Sequence, residues 1–292
     1  MSELASEPMW RSAAAPGKPA VEPDLHTSTS TAGSPGALEA ALRTARDAGR
    51  KLLVPYVTGG LDAGWAEVLR AVAGAGADAV EVGIPFSDPA MDGPTIQEAS
   101  VRALRRGTTP VGILGELAGV DAGVPLVAMT YYNPVLRAGE LRFARSLAEA
   151  GVAGAIVPDL PLDESGPWER EAADAGVETV LLAAPVTPDE RLARIAERSR
   201  GFVYAVSLMG ITGACGELAG SAAILARRLK AVTDRTVILG FGISTPAQAV
   251  EACAEADGVV VASALVRRLL DGAGQEEVAA FVGELRTALD QG

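Results

Sequence analysis

Residues 78–84 read DAVEVGI, a short β-branched run that is followed by a loop and then by a helical pattern. Seven similar runs occur along the chain: LLVPYV from Leu52, PLVAMTY from Pro125, AGAIVP from Ala153, ETVLLA from Glu178, FVYAVS from Phe202, TVILGF from Thr236 and GVVVAS from Gly258. Amphipathic stretches rich in Ala, Leu, Glu and Arg separate these runs. Such alternation indicates parallel strands joined by right-handed crossovers.

Eight strand and helix repeats predict an α/β fold, namely a (β/α)8 or TIM barrel. An open doubly wound sheet fits less well, because it would have fewer strands and a GxGxxG turn. The stretch from Leu38 to Arg50 is predicted to be an extra N-terminal helix that covers the bottom of the barrel. In such a barrel, the active site is built from the loops at the carboxyl ends of the strands.

The chain begins with a segment rich in Pro, Ser, Thr and Ala that lacks any periodic apolar pattern. We expect residues 1–35 to be a disordered tail without a secretory or transit signal, and residues 36–292 to form the catalytic barrel domain. The mean hydropathy is +0.24. Charged residues or glycine nevertheless interrupt every apolar stretch before it reaches the roughly 18 residues that span a bilayer, so a membrane protein is not expected.

The balance of charged residues excludes several partners and mechanisms. The formal net charge of −12 repels nucleic-acid phosphates and anionic lipid surfaces.

The single histidine, His26, lies in the predicted tail, so a catalytic triad, a histidine-ligated metal and a histidine base are not expected. Lys18 lies in the same tail, while Lys51 precedes a strand and Lys230 lies late in a helix. A Schiff-base lysine at a strand end is therefore not expected.

The two cysteines, Cys215 and Cys253, form neither a CxxC motif nor a disulfide framework. This usage is typical of the reducing cytoplasm, where we expect the protein to reside. An enzyme of this composition is expected to bind no metal and no cofactor. Its chemistry would depend on carboxylates, tyrosines and backbone amides.

Glu81 is the first candidate catalytic residue. The alternation of side chains along DAVEVGI directs Val80, Val82 and Ile84 toward the helices and Glu81 into the barrel. No Lys or Arg lies nearby in the sequence. Because burial of an unpaired acid raises its pKa, Glu81 can hold a proton at neutral pH and deliver it. The alternative is that a distant arginine or backbone amides satisfy this carboxylate.

The loop after this strand, IPFSDPAMDGPTIQEAS, carries two more acids, Asp88 and Asp92, between prolines. Loops at this end of a barrel often carry catalytic groups. Asp92 is therefore a candidate partner of Glu81, accepting a proton while Glu81 donates one. The alternative for either aspartate is a turn or capping role, because Asp-Gly and Ser-Asp-Pro segments are common in turns.

The last two strands end in GFGIST from Gly240 and ASALV from Ala262, and each precedes a helix. Small residues allow close approach of the backbone and helix N-termini offer unpaired N–H groups, so these segments predict a phosphate site. GFGIS by itself fits a capped helix equally well. After the sixth strand, the glycine-rich SLMGITGACGELAGSA from Ser207 is expected to be a lid rather than a plain connection.

Several motifs stand in the order and spacing of one enzyme family. They are VPYVTGG from Val54, DAVEVGIPFSDPAMDGPTIQEA from Asp78, MTYYNPVL from Met129, VPDLP from Val157, GITGA from Gly210 and GFGIS from Gly240. Over about residues 37 to 292 the sequence resembles the tryptophan synthase alpha chain, and the block from EVGIPFSDP to DGPTIQ is specific to that family. The resemblance implies retro-aldol cleavage of indole-3-glycerol phosphate to indole and glyceraldehyde 3-phosphate. It also implies an alpha2beta2 complex in which a pyridoxal-phosphate beta chain joins indole to serine.

The resemblance further implies roles for individual residues. Glu81 would be the general acid and base on the glycerol side, Asp92 would pair with the indole N–H, and Tyr204 would be a third catalytic-site residue. Substrate contacts are implied for Tyr56, Met129, Tyr131, Thr212, Gly213, Gly240, Gly242, Ser244, Ala262 and Ser263. The face that docks the beta chain is implied to contain Pro85, Asp88, Asn133, Asp159 and Pro161.

Other functions fit parts of the same pattern. A stand-alone lyase that releases indole in a specialised pathway would have the same site residues. A non-catalytic activator of a beta chain is disfavoured because both carboxylates are present. Another phosphate-binding barrel, such as a sugar-phosphate isomerase of histidine or tryptophan synthesis, is disfavoured because no catalytic Cys or His stands near a strand end.

Overall fold

Eight parallel strands close into a barrel in the order in which they occur along the chain. The computed structural model describes residues 34–206, 215–240 and 242–292, without the side chains of residues 215–220. The strands are β1 (Leu52–Thr58), β2 (Val80–Gly83), β3 (Leu126–Met129), β4 (Val152–Ile156), β5 (Glu178–Ala183), β6 (Val203–Val206), β7 (Val237–Gly240) and β8 (Gly258–Val261). β8 pairs with β1 and closes the cylinder. The predicted (β/α)8 barrel is confirmed.

The helices of the described residues surround this cylinder. They are α1 (Ala37–Asp47), α2 (Trp65–Gly74), α3 (Pro94–Arg105), α4 (Pro110–Leu117), α5 (Tyr132–Ala138), α6 (Glu140–Glu149), α7 (Gly166–Asp174), α8 (Asp189–Arg198), α9 (Cys215–Lys230), α10 (Pro246–Cys253), α11 (Ser263–Leu270) and α12 (Gln275–Gln291). Two helices, rather than one, follow β2, β3 and β8. Gly107 and Gly139 take positive φ angles of 86° and 87° at the breaks after α3 and α5, a conformation that favours glycine.

β2 shows how the alternation of side chains separates two cores. Val80 and Val82 point outward into the large apolar cluster between barrel and helices. Ala79 points inward and packs with Val54 and Val127 in a second cluster inside the barrel. The sequence predicted which residues around β2 face inward. The same alternation places Glu81 inside the barrel, as described below.

The bottom of the barrel is covered by α1, as predicted. Leu38 and Leu42 are fully buried in the cluster inside the barrel. The helix is held there by Glu178, whose carboxylate accepts the N–H of Leu38 at 2.7 Å and the N–H of Glu39 at 3.1 Å. A buried carboxylate therefore satisfies amides at the helix N-terminus that have no intrahelical acceptor.

Replacement of Glu178 by alanine is expected to lower the free energy of unfolding by about 2–3 kcal/mol, because two buried N–H groups lose a charged acceptor. Urea unfolding measures this change. The exposed Glu251→Ala variant on α10 is a suitable control, and we expect it to stay within about 0.5 kcal/mol of the parent. Equal stability of the two variants would contradict the anchoring role of Glu178.

Two more carboxylates hold the amino ends of strands. Asp78, just before β2, accepts the N–H of Leu53 at 2.8 Å. Asp257, just before β8, accepts the N–H of Val237 at 2.8 Å. Together with Glu178, these acids stabilise the bottom of the barrel, at the end opposite to the carboxyl ends of the strands.

The predicted tail and lid fall largely beyond the part of the chain that the structure describes. Only the last two residues of the 1–35 segment are described, and residues 207–214 of the predicted lid are not. Residues Pro35–Gly292 form one compact unit. No helix within the described ranges combines the length and the apolar character that crossing a membrane requires.

Candidate active site

A cavity of about 470 Å³ lies at the carboxyl ends of the strands, where barrel enzymes place their active sites. Nine of the residues singled out in the sequence line it: Tyr56, Glu81, Asp92, Met129, Tyr204, Gly240, Gly242, Ala262 and Ser263. Residues from five strands and from three strand-to-helix loops therefore meet in one place. No Lys or Arg of the described chain is among the residues that line the cavity.

Glu81 lies inside the barrel, as the alternation along β2 predicts. Its side chain is 1% exposed and its Oε2 atom has no hydrogen-bond partner among the described residues. Burial, reinforced by the nearby charge of Asp92, raises the pKa of Glu81 to about 8. The alternative that an arginine neutralises this carboxylate finds no support in the described ranges. Glu81 is therefore protonated over much of the neutral range.

Asp92 reaches the cavity from the loop that joins β2 to α3. Its N–H donates to the carbonyl of Pro89 at 3.1 Å, and its own carbonyl accepts Nε2 of Gln97 at 2.9 Å. Gly93, not Asp92, is the N-cap residue of α3, and no side chain caps that helix. The Asp92 carboxylate is thus free of the capping role considered from the sequence. Burial raises its pKa to about 6, and hydrogen bonding by Tyr131 opposes this rise.

Three of the four tyrosines in the chain surround the two carboxylates. Tyr56 pairs with Glu81 in the β1–β2 register, and its ring lies over Gly83, where any Cβ atom would overlap it. Tyr204 lies over Gly240 in the same way. Burial and the neighbouring acids raise the pKa of Tyr56 and of Tyr204. Both hydroxyls therefore stay neutral and can act as hydrogen-bond donors.

The other end of the cavity is made of small residues and a helix N-terminus. Ala262 and Ser263 line it at the start of α11, a helix without a side-chain cap. Its first N–H groups have no intrahelical acceptor and carry a partial positive charge. Gly242 contributes open backbone with a φ of 64°. This arrangement suits a phosphate group that is bound by amides rather than by cationic side chains.

Two residues expected to contact the substrate do not line the cavity. The N–H and the hydroxyl of Ser244 both bind Oε1 of Gln248, at 2.9 and 2.8 Å, because a capping box with Thr245 starts α10. Tyr131 is buried and absent from the cavity lining, and its hydroxyl accepts the N–H of Met91 at 2.9 Å. Thr212 and Gly213 lie outside the described residues.

Four of the five residues expected to dock a beta chain are exposed at the end of the barrel where the strands have their carboxyl ends. Asp88, Asn133, Asp159 and Pro161 are exposed, whereas Pro85 is buried within the chain. Asp159 also has a structural role, because its carboxylate accepts the N–H of Tyr132 at 2.8 Å. Pro85 is therefore not part of the exposed surface, although it belongs to the loop that bears Asp88.

The sequence analysis missed the apolar side chains of the cavity. Ile156 ends β4, Leu182 lies near the end of β5 and Val206 ends β6, and all three line the cavity. Each lies on the inward face of its strand, so the alternation used for Glu81 also predicts them. They give the cavity an apolar region that suits a flat ring. Among the described residues, no cluster of His, Cys, Asp and Glu could hold a metal ion.

Comparison with known proteins places this geometry in one family. The family model described as tryptophan synthase alpha chain matches residues 42–289. The tryptophan synthase alpha chain of Streptomyces coelicolor is 44% identical over 252 residues, which cover 84% of this chain and 93% of that protein. A Mycobacterium tuberculosis tryptophan synthase structure matches with a TM-score of 0.82 and 41% identity, covering 88% of this chain and 100% of that one. A Legionella pneumophila tryptophan synthase alpha chain matches with a TM-score of 0.78 and 30% identity, covering 88% and 98%.

Proposed function

The chain belongs to the tryptophan synthase alpha chain family, and from that premise we propose how its own residues carry out the reaction. The protein is a carbon–carbon lyase that cleaves indole-3-glycerol phosphate into indole and glyceraldehyde 3-phosphate. The observation that carries the proposal is the pair formed by Glu81 and Asp92. Glu81 is buried with its Oε2 atom unpaired among the described residues, and Asp92 lines the same cavity from the loop after β2.

Bond cleavage needs a proton on C3 of the indole ring, and Glu81 supplies it. Because its pKa is raised to about 8, Glu81 is protonated when the substrate enters. Proton transfer to C3 leaves a positive charge on the ring nitrogen. The Asp92 carboxylate binds the N–H there and stabilises this charge, which develops only as the reaction proceeds.

The second proton transfer closes the cycle. The Glu81 carboxylate, having given up its proton, takes the proton of the glycerol hydroxyl on the carbon that is bonded to C3. The bond between that carbon and C3 breaks, its electron pair restores the aromatic ring, and the hydroxyl carbon becomes the aldehyde. Indole and glyceraldehyde 3-phosphate leave, and Glu81 is protonated again.

The remaining cavity residues bind and orient the substrate. The apolar region lined by Met129, Ile156 and Leu182 suits the indole ring, and the N-terminus of α11 suits the phosphate. Tyr204 is close enough to Glu81 for the charge of this acid to raise its pKa. Its neutral hydroxyl would hydrogen-bond the glycerol moiety, since Tyr204 lines the same cavity as Glu81. A cavity that holds both a ring site and a phosphate site would favour a substrate that carries both groups.

The pH dependence of kcat/KM is expected to be bell-shaped, with its maximum between about pH 6 and about pH 8. Activity falls below this window because Asp92 takes up a proton and loses the charge that stabilises the ring nitrogen. It falls above the window because Glu81 loses the proton that it donates. Steady-state rates, corrected for the phosphate pKa of about 6, measure both limbs. A rate that keeps rising above pH 8 would contradict protonated Glu81 as the acid.

The proposed activity is tested by incubating the protein with indole-3-glycerol phosphate and measuring indole, with and without a tryptophan synthase beta chain. We expect slow release by the chain alone and faster release with the beta chain. Equal, fast release in both arms would favour the stand-alone lyase. No release in either arm, from a protein that is folded by circular dichroism, would refute the lyase.

We also propose that the partner is a beta chain in an alpha2beta2 complex and that the enzyme works in the cytoplasm. The exposed Asp88, Asn133, Asp159 and Pro161 support the docking face because they follow β2, β3 and β4, at the same end of the barrel as the cavity from which indole must leave. The cysteine usage supports the location. No cofactor is needed for the cleavage step, since two proton transfers and one charge stabilisation account for it.

A further inference from the structure

Tyr131 lies next to the active site and connects two of its loops. It follows β3 and is the N-cap residue of α5. Its side chain is 5% exposed and is absent from the cavity lining. The hydroxyl instead reaches the loop between β2 and α3, where it accepts the N–H of Met91 at 2.9 Å. Met91 directly precedes Asp92 in the chain.

The ring of Tyr131 holds the start of the same loop. It stacks on Phe86 with a centroid distance of 5.0 Å and an interplanar angle of 24°. Phe86 and Met91 thus contact one side chain, which joins the two ends of the segment 86–91. The segment has little packing of its own, since Ser87, Asp88 and Met91 are exposed. Tyr131 therefore limits where Asp92 can lie.

The Tyr131 hydroxyl also acts on the Asp92 carboxylate. Because its oxygen accepts the N–H of Met91, its proton remains free to be donated, and hydrogen bonding by Tyr131 opposes the rise in the Asp92 pKa. The other titratable groups around these two residues are Tyr56 from β1, Glu81 from β2, Tyr204 from β6 and Asp159 from the loop after β4. All are neutral or acidic, and no cation of the described chain lines the cavity.

We infer that Tyr131 is a positioning residue, whose ring and hydroxyl hold the segment 86–91 so that the Asp92 carboxylate faces the cavity before the substrate enters. This inference rests on the proposed function, because the position of the Asp92 carboxylate matters only if that carboxylate takes part in the cleavage reaction. It assigns Tyr131 no contact with the substrate. It also separates Tyr131 from Tyr132, its neighbour in sequence, whose hydroxyl donates to Glu140 at 2.8 Å.

Tyr131→Phe tests the inference, because it keeps the ring on Phe86 and removes only the hydroxyl. We expect kcat/KM at pH 7, without a beta chain, to fall about tenfold, as for the loss of one hydrogen bond to a charged group. The acid limb of the pH profile is expected to move to higher pH, since Asp92 loses a donor that favours its charged form. Tyr132→Phe is the matched control and is expected to leave both quantities unchanged.

A double-mutant cycle distinguishes action through Asp92 from a general structural effect. We expect Tyr131→Phe to have no further effect in the Asp92→Asn background, because the residue acts through that carboxylate. An equal loss in both backgrounds, or an unshifted acid limb in the single variant, would overturn the positioning role. If the parent enzyme releases indole and Asp92→Asn does not, while Tyr131→Phe behaves as the parent, only this inference fails. If the parent releases none, the proposed function fails instead.

Discussion

Glu81→Gln is expected to lower the rate of indole release by at least about 10²-fold, the range typical of losing a general acid and base. Glutamine has nearly the same shape as a protonated glutamate and can still donate a hydrogen bond. It cannot, however, give a proton to C3 or take one from the glycerol hydroxyl. Substrate binding should therefore persist while turnover is lost. Single-turnover assays at high enzyme concentration, together with equilibrium binding, separate the two effects.

The stability of this variant provides a second readout. The pKa of Glu81 is raised from 4.5 to about 8 in the folded chain, so the folded state binds a proton more tightly than the unfolded state does. Stability therefore decreases as pH rises from the unfolded pKa through the folded one. Glutamine has no such titration. We expect Glu81→Gln to melt at a higher temperature than the parent at pH 8 and to differ less at pH 5.

Glu178→Ala is the contrasting control, since it also removes a buried carboxylate from the barrel, but at the bottom. It should lower stability and leave kcat unchanged at a temperature well below its melting point. The assignment of Glu81 would be wrong if Glu81→Gln turned over at the parental rate. It would also be wrong if both variants lost activity in proportion to stability alone.

Asp92→Asn is the second change with a large expected effect, again a loss of at least about 10²-fold in the cleavage rate. The amide keeps the volume of the side chain but removes the negative charge that faces the ring nitrogen. Because the charge matters most when the ring is cationic, we expect kcat to fall more than KM rises. The pH profile of the residual activity should lose its acid limb.

Asp88→Asn is the matched control, because Asp88 is an exposed acid of the same loop. Without a beta chain, we expect it to release indole at the parental rate. If Asp92→Asn also retained near-normal turnover, the ring nitrogen would have to be stabilised by another group, and Asp92 would leave the mechanism. If both variants lost activity alike, general disturbance of the loop would explain the loss.

The fold and the orientation of Glu81 could be predicted because both follow from local periodicity. Side chains alternate along a strand, so a run such as DAVEVGI fixes which residues face inward. Parallel strands joined by helices leave few topologies, and eight repeats select the barrel. The same rule, applied to β4, β5 and β6, would have found Ile156, Leu182 and Val206.

Contacts between separate loops could not be predicted in this way. The hydrogen bond from Met91 to Tyr131 joins residues that are 40 positions apart, and it exists only because β2 and β3 are neighbours in the closed barrel. From the sequence, GFGIST fits a phosphate loop and a capped helix equally well. In the structure, the N–H and hydroxyl of Ser244 bind the side chain of Gln248 within the capping box of α10, a contact that the motif alone does not reveal.

The three acids at the bottom of the barrel, Asp78, Glu178 and Asp257, bear on how this chain can be engineered. Asp78 and Asp257 bind backbone groups at the amino ends of strands and Glu178 binds the N-terminus of α1, whereas the cavity residues stand at the carboxyl ends of strands or in the loops beyond them. Libraries that randomise only the loops at the carboxyl ends of the strands would leave these three acids and their hydrogen bonds unchanged. We expect such libraries to yield a high proportion of folded clones, which makes the chain a suitable scaffold for evolving lyases with other aromatic substrates.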